Sequence, residues 1–88
     1  MRRWGAKRDA AEAAIVDALE AIGVYVVRLS QPALPDLLVF HPREGIRLIE
    51  VKSPGGKLNV LQQTTRRYLP FAVVETEADA LALFGVSA

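Results

Sequence analysis

Residues 35–52 read PDLLVFHPREGIRLIEVK, and this stretch decides the fold. Asp36-Leu37-Leu38-Val39-Phe40 is apolar and β-prone, so it predicts a strand. Pro42 and Gly45 bracket a turn, and Ile46 to Lys52 returns as a second strand. Side chains alternate faces along a strand, which puts Glu50 and Lys52 on one face, roughly 7 Å apart. An acid and an amine late in an otherwise apolar strand break its pattern. Asp36 does the same at the start of the neighbouring strand, behind Pro35, which holds Leu34 extended. In a hairpin the start of one strand lies beside the end of the other, so Asp36 is expected next to Glu50 and Lys52.

Working outward, Ala11, Ala14, Ile15, Ala18, Leu19 and Ile22 recur at helical spacing. They predict a helix from Asp9 to Ile22, with Gly23 as its stop. Val24-Tyr25-Val26-Val27 reads as a strand, and Ser30 to Leu34, with Pro32 inside, as a loop. Downstream, Ser53-Pro54-Gly55-Gly56 is expected to be a flexible loop. Asn59 is a favoured N-cap for a helix running to about Leu69, which Pro70 ends. Phe71 to Val74 predicts a last strand and Glu77 to Phe84 a closing helix. The order α-β-β-β-α-β-α describes one α/β domain over residues 1–88, a small mixed sheet flanked by helices.

Composition narrows the chemistry. The absence of cysteine excludes disulfides, zinc–thiolate sites and thiol catalysis, and fits a cytoplasmic protein. Asp9, Glu12 and Asp17 interrupt any apolar run that could serve as a secretion signal, and no stretch approaches transmembrane length. The net charge is only +1, from 11 basic and 10 acidic residues. If Glu12, Asp36 and Glu50 bind metal, 10 − 3 = 7 acids face 11 bases, a balance of +4. The basic residues also cluster, as Arg2, Arg3, Lys7 and Arg8 and then Lys57, Arg66 and Arg67, and clustered charge steers polyanionic partners.

Two carboxylates converging at a partly buried point repel each other unless a cation lies between them. Hard oxygen ligands without Cys or paired His indicate Mg²⁺ or Mn²⁺. Such an ion activates water and polarises a phosphoryl oxygen, and Lys52 is placed to offset developing charge. At 100° per residue, Glu12 is the acid of the first helix aimed at the sheet, about 20° from Leu19, while Asp9, Asp17 and Glu20 point away. In the second helix Leu58, Leu61, Thr65, Tyr68 and Leu69 form the apolar stripe, Gln62 flanks it and Gln63 opposes it.

Other residues have plainer readings. Glu-x-Lys on a strand is most often a solvated ion pair. Gln62 stands at N3 after Asn59 and completes a capping box, a role compatible with one at the site. His41, without a second histidine, reads as a turn residue. Gly55-Gly56-Lys57 lacks the earlier glycine and the following Ser/Thr of a phosphate loop. Trp4, Tyr25, Phe71 and Phe84 have no evident partners, and a thin core in so short a chain favours pairing with a second copy.

The succession of helical Glu12, Pro35-Asp36, Glu50-Val51-Lys52 and Leu58-Asn59-Val60-Leu61-Gln62 resembles the PD-(D/E)xK nuclease superfamily, and within it the virus-type replication-repair nuclease (VRR-NUC) family, from about residue 8 to about residue 84. The resemblance implies Mg²⁺- or Mn²⁺-dependent phosphodiester hydrolysis on DNA. It makes Asp36, Glu50 and the Val51 carbonyl metal ligands and Lys52 catalytic, with Glu12 and Gln62 auxiliary and Glu12 close enough to join the ligands. Lys57, Arg66, Arg67, Lys7 and Arg8 would contact DNA. Standalone members, typically of phage or bacterial cytoplasm, resemble homodimeric enzymes that resolve Holliday junctions, so branched or flapped DNA and a homodimer are the implied partners. Ala33 departs from the usual glycine before Pro-Asp, and the segment from Gln62 to Phe71 is short. The alternatives are a catalytically inactive binder of branched DNA with the same fold, and a partner-binding domain whose charge cluster is coincidental.

Overall fold

The structure, a computed structural model, describes residues 3–86, with side chains from Ala10 onward. Helix α1 (Arg3–Ala21) is followed by strands β1 (Tyr25–Arg28), β2 (Leu37–His41) and β3 (Gly45–Val51). Helix α2 (Val60–Tyr68), strand β4 (Ala72–Val74) and helix α3 (Glu77–Ala82) complete the chain. The α1 helix begins before Asp9 because the preceding Ala, Lys and Arg residues propagate a helix readily although they add nothing to its apolar stripe. It ends at Gly23, whose φ of 88° lets the N–H groups of Gly23 and Val24 fold back onto the carbonyls of Glu20 and Leu19.

The sheet order is β1-β2-β3-β4, antiparallel through the first three strands and parallel between β3 and β4. The sheet is mixed because β2 and β3 are joined by a tight hairpin, whereas β4 returns through α2. His41 closes the hairpin: its Nδ1 accepts from the N–H groups of Arg43 and Glu44 at 3.0 and 2.9 Å. It is a turn residue, as the sequence predicts.

Leu37, Val39, Ile49 and Val51 point to one face of the sheet, where they pack with Ile15, Val16 and Leu19 of α1, Val24, Val74 and Ala80 of α3. The opposite face carries Glu50 and is approached by α2, whose Gln62 meets it. This division corrects the expected apolar stripe of α2. Leu61 is half exposed and Tyr68 is 82% exposed, whereas Gln62 is the buried residue of the helix. The helix adds little to the hydrophobic core and is anchored by polar bonds instead. Arg66 fixes its other end, donating from Nε to the Phe71 carbonyl at 3.2 Å and covering the Phe71 ring.

Two aromatic residues expected to lack partners have them within the chain. Phe71 is buried, and Phe84 stacks on His41 with the Arg47 guanidinium over its ring. Tyr25, by contrast, is 67% exposed, its ring tilted against that of Phe40 with the centroids 5.8 Å apart. The side chain of Trp4 lies outside the described residues. Among the described residues, no helix is long and apolar enough to cross a membrane.

Candidate metal centre at the end of β3

The register Leu37↔Ile49, extended by one residue, sets Asp36 opposite Glu50. Residues directly opposite in an antiparallel pair share a face, so both carboxyl groups belong to the α2 side of the sheet. The predicted convergence is present. Asp36 Oδ2 accepts the Val51 N–H at 2.8 Å, which ties the carboxylate to the last residue of β3. Backbone groups of an extended residue point to the same strand edge, so the Val51 carbonyl is also turned toward β2.

Glu50 is 1% exposed, and burying a carboxylate so deeply is costly unless charged or hydrogen-bonding groups meet it. Its Oε2 receives Gln62 Nε2 at 2.7 Å and lies 3.3 Å from Lys52 Nζ. Lys52 is largely buried at the end of β3, and together the pair is more than the solvated surface ion pair that Glu-x-Lys usually signals.

The orientation of Gln62 is set by its own helix. Asn59 Oδ1 accepts the Gln62 N–H at 2.8 Å, and Gln62 Oε1 accepts the Asn59 N–H at 3.0 Å, the reciprocal bonds of a capping box. With the amide oxygen engaged at the cap, the NH₂ group is the end left to face Glu50. One side chain therefore starts the helix and holds the buried acid. Gln63 points to the other side, as expected, and donates to the Leu58 carbonyl.

Ser53 to Gly56, expected to be a flexible loop, is a hydrogen-bonded turn. Gly56 N–H donates to the Ser53 carbonyl, with Pro54 and Gly55 at the central positions and a φ of 79° at Gly55, the signature of a type II turn. Glu75 Oε2 accepts the Gly55 N–H at 3.1 Å, which fastens the turn after Lys52 to the segment following β4. Glu75 was not legible as a contributor, because its position after an apolar strand resembles any solvated acid.

Glu12 reaches the same end of the sheet from α1 and pairs with Arg28, the last residue of β1, at 3.6 Å. It does not join Asp36 and Glu50 in a cluster of three acidic or imidazole side chains suited to a metal, none of which occurs among the described residues. Arg67 and Lys57 are exposed, whereas the guanidinium of Arg66 is committed to Phe71. The side chains of Lys7 and Arg8 lie outside the described residues.

The donors at this edge are two carboxylates and a main-chain carbonyl, all hard oxygen ligands. They fit Mg²⁺ or Mn²⁺, which commonly take one or two carboxylates and keep several waters. Glu50 adds a buried negative charge to which a divalent cation is electrostatically matched.

Neither a protein-family model nor a curated protein matches the chain. A solved structure described as a VRR_NUC domain superposes on it with a TM-score of 0.70 and 27% sequence identity, covering 86% of this chain and 91% of that one. The likeness thus spans most of both molecules. The chain therefore has the fold of a VRR-NUC domain, the architecture of a nuclease family.

Proposed function

We propose that the protein is a Mg²⁺- or Mn²⁺-dependent endonuclease that hydrolyses phosphodiester bonds in branched DNA, four-way junctions included. The observation that carries this reading is the buried Glu50 carboxylate, flanked by Lys52 and Gln62 and opposite Asp36 across the hairpin. Asp36, Glu50 and the Val51 carbonyl would hold the ion. When bound, the ion supplies a lowered pKa for a coordinated water and polarisation of the scissile phosphoryl group. Lys52 brings a fixed positive charge to the position where charge develops on the phosphate. Gln62 orients the Glu50 carboxylate through its amide, and Glu12, held by Arg28, shapes the α1 side of the site as an auxiliary residue. Arg67 and Lys57, with Lys7 and Arg8, supply the charge that draws the DNA backbone.

A symmetric homodimer suits a substrate with two strands to be cut, because it sets two centres in a fixed two-fold relation. The exposed row Tyr25–Phe40–Ile46, aligned across β1, β2 and β3, supports such a pairing surface. A stable pair needs on the order of 1,200 Å² of total burial. The test uses labelled linear, flapped and four-way-junction DNA with Mg²⁺, Mn²⁺ or EDTA, alongside sedimentation of the free protein. Metal-dependent cutting that favours branched DNA, by a dimer, is expected. Binding without cutting under every metal condition would leave a DNA-binding module, and a monomer that cuts would remove the dimer.

A further inference from the structure

The chain end of β3 at Lys52 is held from the side of β4 and α3. The Lys52 N–H donates to the Val74 carbonyl at 2.9 Å, which fixes the backbone of the lysine against the end of β4. The residue after Val74 is Glu75, and its Oε2 accepts the Gly55 N–H at 3.1 Å. In a type II turn the N–H of the third residue takes no part in the turn's own bond, which here runs from Gly56 N–H to the Ser53 carbonyl at 2.8 Å. The Gly55 N–H is thus a group by which the turn can be held from outside, and Glu75 holds it. Glu75 is fixed in its turn by the start of α3. Asp79 Oδ2 accepts the N–H groups of Glu75 and Thr76 at 2.9 and 3.1 Å, within the capping box that opens that helix.

The turn so held lies against the stem of Lys52. A Cβ built on Gly56 would stand 3.5 Å from Lys52 Cβ, ordinary van der Waals contact, so the turn backs directly on the lysine side chain. The same Cβ would stand 2.9 Å from the Ser53 carbonyl oxygen, too close for any residue but glycine at this position. From this support Lys52 reaches Nζ to 3.3 Å from Glu50 Oε2, its side chain only 17% exposed. A lysine ammonium rides on a flexible four-carbon stem, so packing at the base of the stem narrows where the charge can go.

We propose that Glu75 is a positioning residue for Lys52: by pinning Gly55 it keeps the Ser53–Gly56 turn packed on the lysine stem and so holds the ammonium group beside Glu50. The role rests on the nuclease reading above. Glu75 acts here as a hydrogen-bond acceptor, so glutamine in its place keeps the turn fastened while alanine releases it.

The test compares wild type, Glu75→Ala and Glu75→Gln, each verified as folded by thermal melting. Two quantities are read. One is the mobility of the Lys52 side chain, from carbon-13 relaxation at its ε carbon; the other is single-turnover cleavage of four-way-junction DNA in Mg²⁺, with the saturating rate separated from DNA affinity. For Glu75→Ala a more mobile Lys52 and unchanged DNA affinity are expected. Its saturating rate should fall about 10-fold, because a group misplaced by about 1 Å can cost about 100-fold and losing one support moves it less. Glu75→Gln should keep the mobility and rate of wild type. A Glu75→Ala protein with Lys52 as ordered as in wild type, or one that cuts at the wild-type saturating rate, would overturn the role, as would a loss that Glu75→Gln shares. Absence of cleavage by wild type would remove the nuclease reading, and the relaxation of Lys52 would still decide whether Glu75 holds the lysine in place.

Discussion

Replacing Gln62 by alanine removes two things at once, and their sizes follow from the structure. The Nε2 donor to the buried Glu50 carboxylate is lost, and a hydrogen bond to a charged group contributes about 1.5–3 kcal/mol. The Oε1 acceptor for the Asn59 N–H goes with it, a smaller term of about 0.5 kcal/mol at a helix start. The sum is about 2–3.5 kcal/mol, a large share of the roughly 4–13 kcal/mol expected of a chain this long. It corresponds to a drop in Tm of roughly 8–28 °C. The substitution Gln62→Glu separates the terms. It keeps an acceptor for Asn59 but sets a second carboxylate against Glu50, so its deficit at neutral pH should be at least as large. Protonating either carboxyl removes the repulsion, so the deficit relative to wild type should shrink as pH falls, and a divalent cation should shrink it at neutral pH. Urea and thermal unfolding of the three proteins at pH 7 and pH 5, with and without Mn²⁺, provide the assay. A Gln62→Ala protein within 0.5 kcal/mol of wild type, or a Gln62→Glu deficit indifferent to pH, would refute the linkage between the helix cap and the buried acid.

The two arginines closing α2 should behave differently. Arg67→Ala should lower the salt slope of DNA binding by about one phosphate contact with little change in stability, whereas Arg66→Ala should cost about 1 kcal/mol of stability through the lost bond to Phe71; equal salt slopes for wild type and Arg67→Ala would remove that residue from the DNA-facing surface. Glu12→Gln should slow cleavage more than Glu20→Gln, because Glu12 lies at the Arg28 end of the sheet and Glu20 is exposed; equal rates for the two variants would exclude an auxiliary role. Asp79, at N3 of α3, has its carboxyl held below the ordinary range by the Glu75 N–H first and then by Thr76. A lowered folded-state pKa stabilises above the unfolded value and is lost as pH falls through the folded one, so the margin of wild type over Asp79→Asn should narrow on acidification. A margin independent of pH would show that the charge contributes nothing.

The hairpin and the convergence of Asp36 with Glu50 and Lys52 were legible because they depend on period-two alternation and a short turn, both local in sequence. The capping box of Asn59 and Gln62 was legible for the same reason, since its partners are three residues apart. What escaped was what α2 packs against. Apolar residues usually seek the core, which would turn Leu61 and Tyr68 inward, yet this helix is anchored by Gln62 and Arg66 through polar bonds to Glu50 and Phe71 outside it. The partners of Phe84, which are His41 and Arg47, come from the hairpin and likewise depend on tertiary contacts that no local pattern reveals. Pro54-Gly55 is a local type II turn signal, whereas the clamp of that turn by Glu75 comes from across the fold.

Whether Glu50 belongs to a metal-dependent cutting centre is decided by single-turnover cleavage of labelled four-way-junction DNA in Mg²⁺ or Mn²⁺, comparing wild type with Glu50→Ala, with folding of both proteins verified by circular dichroism. Cleavage by wild type that EDTA abolishes is expected, with a rate at least about 100-fold lower for the folded variant, the scale of losing one group that stabilises the transition state. Cleavage by folded Glu50→Ala at the wild-type rate would contradict it.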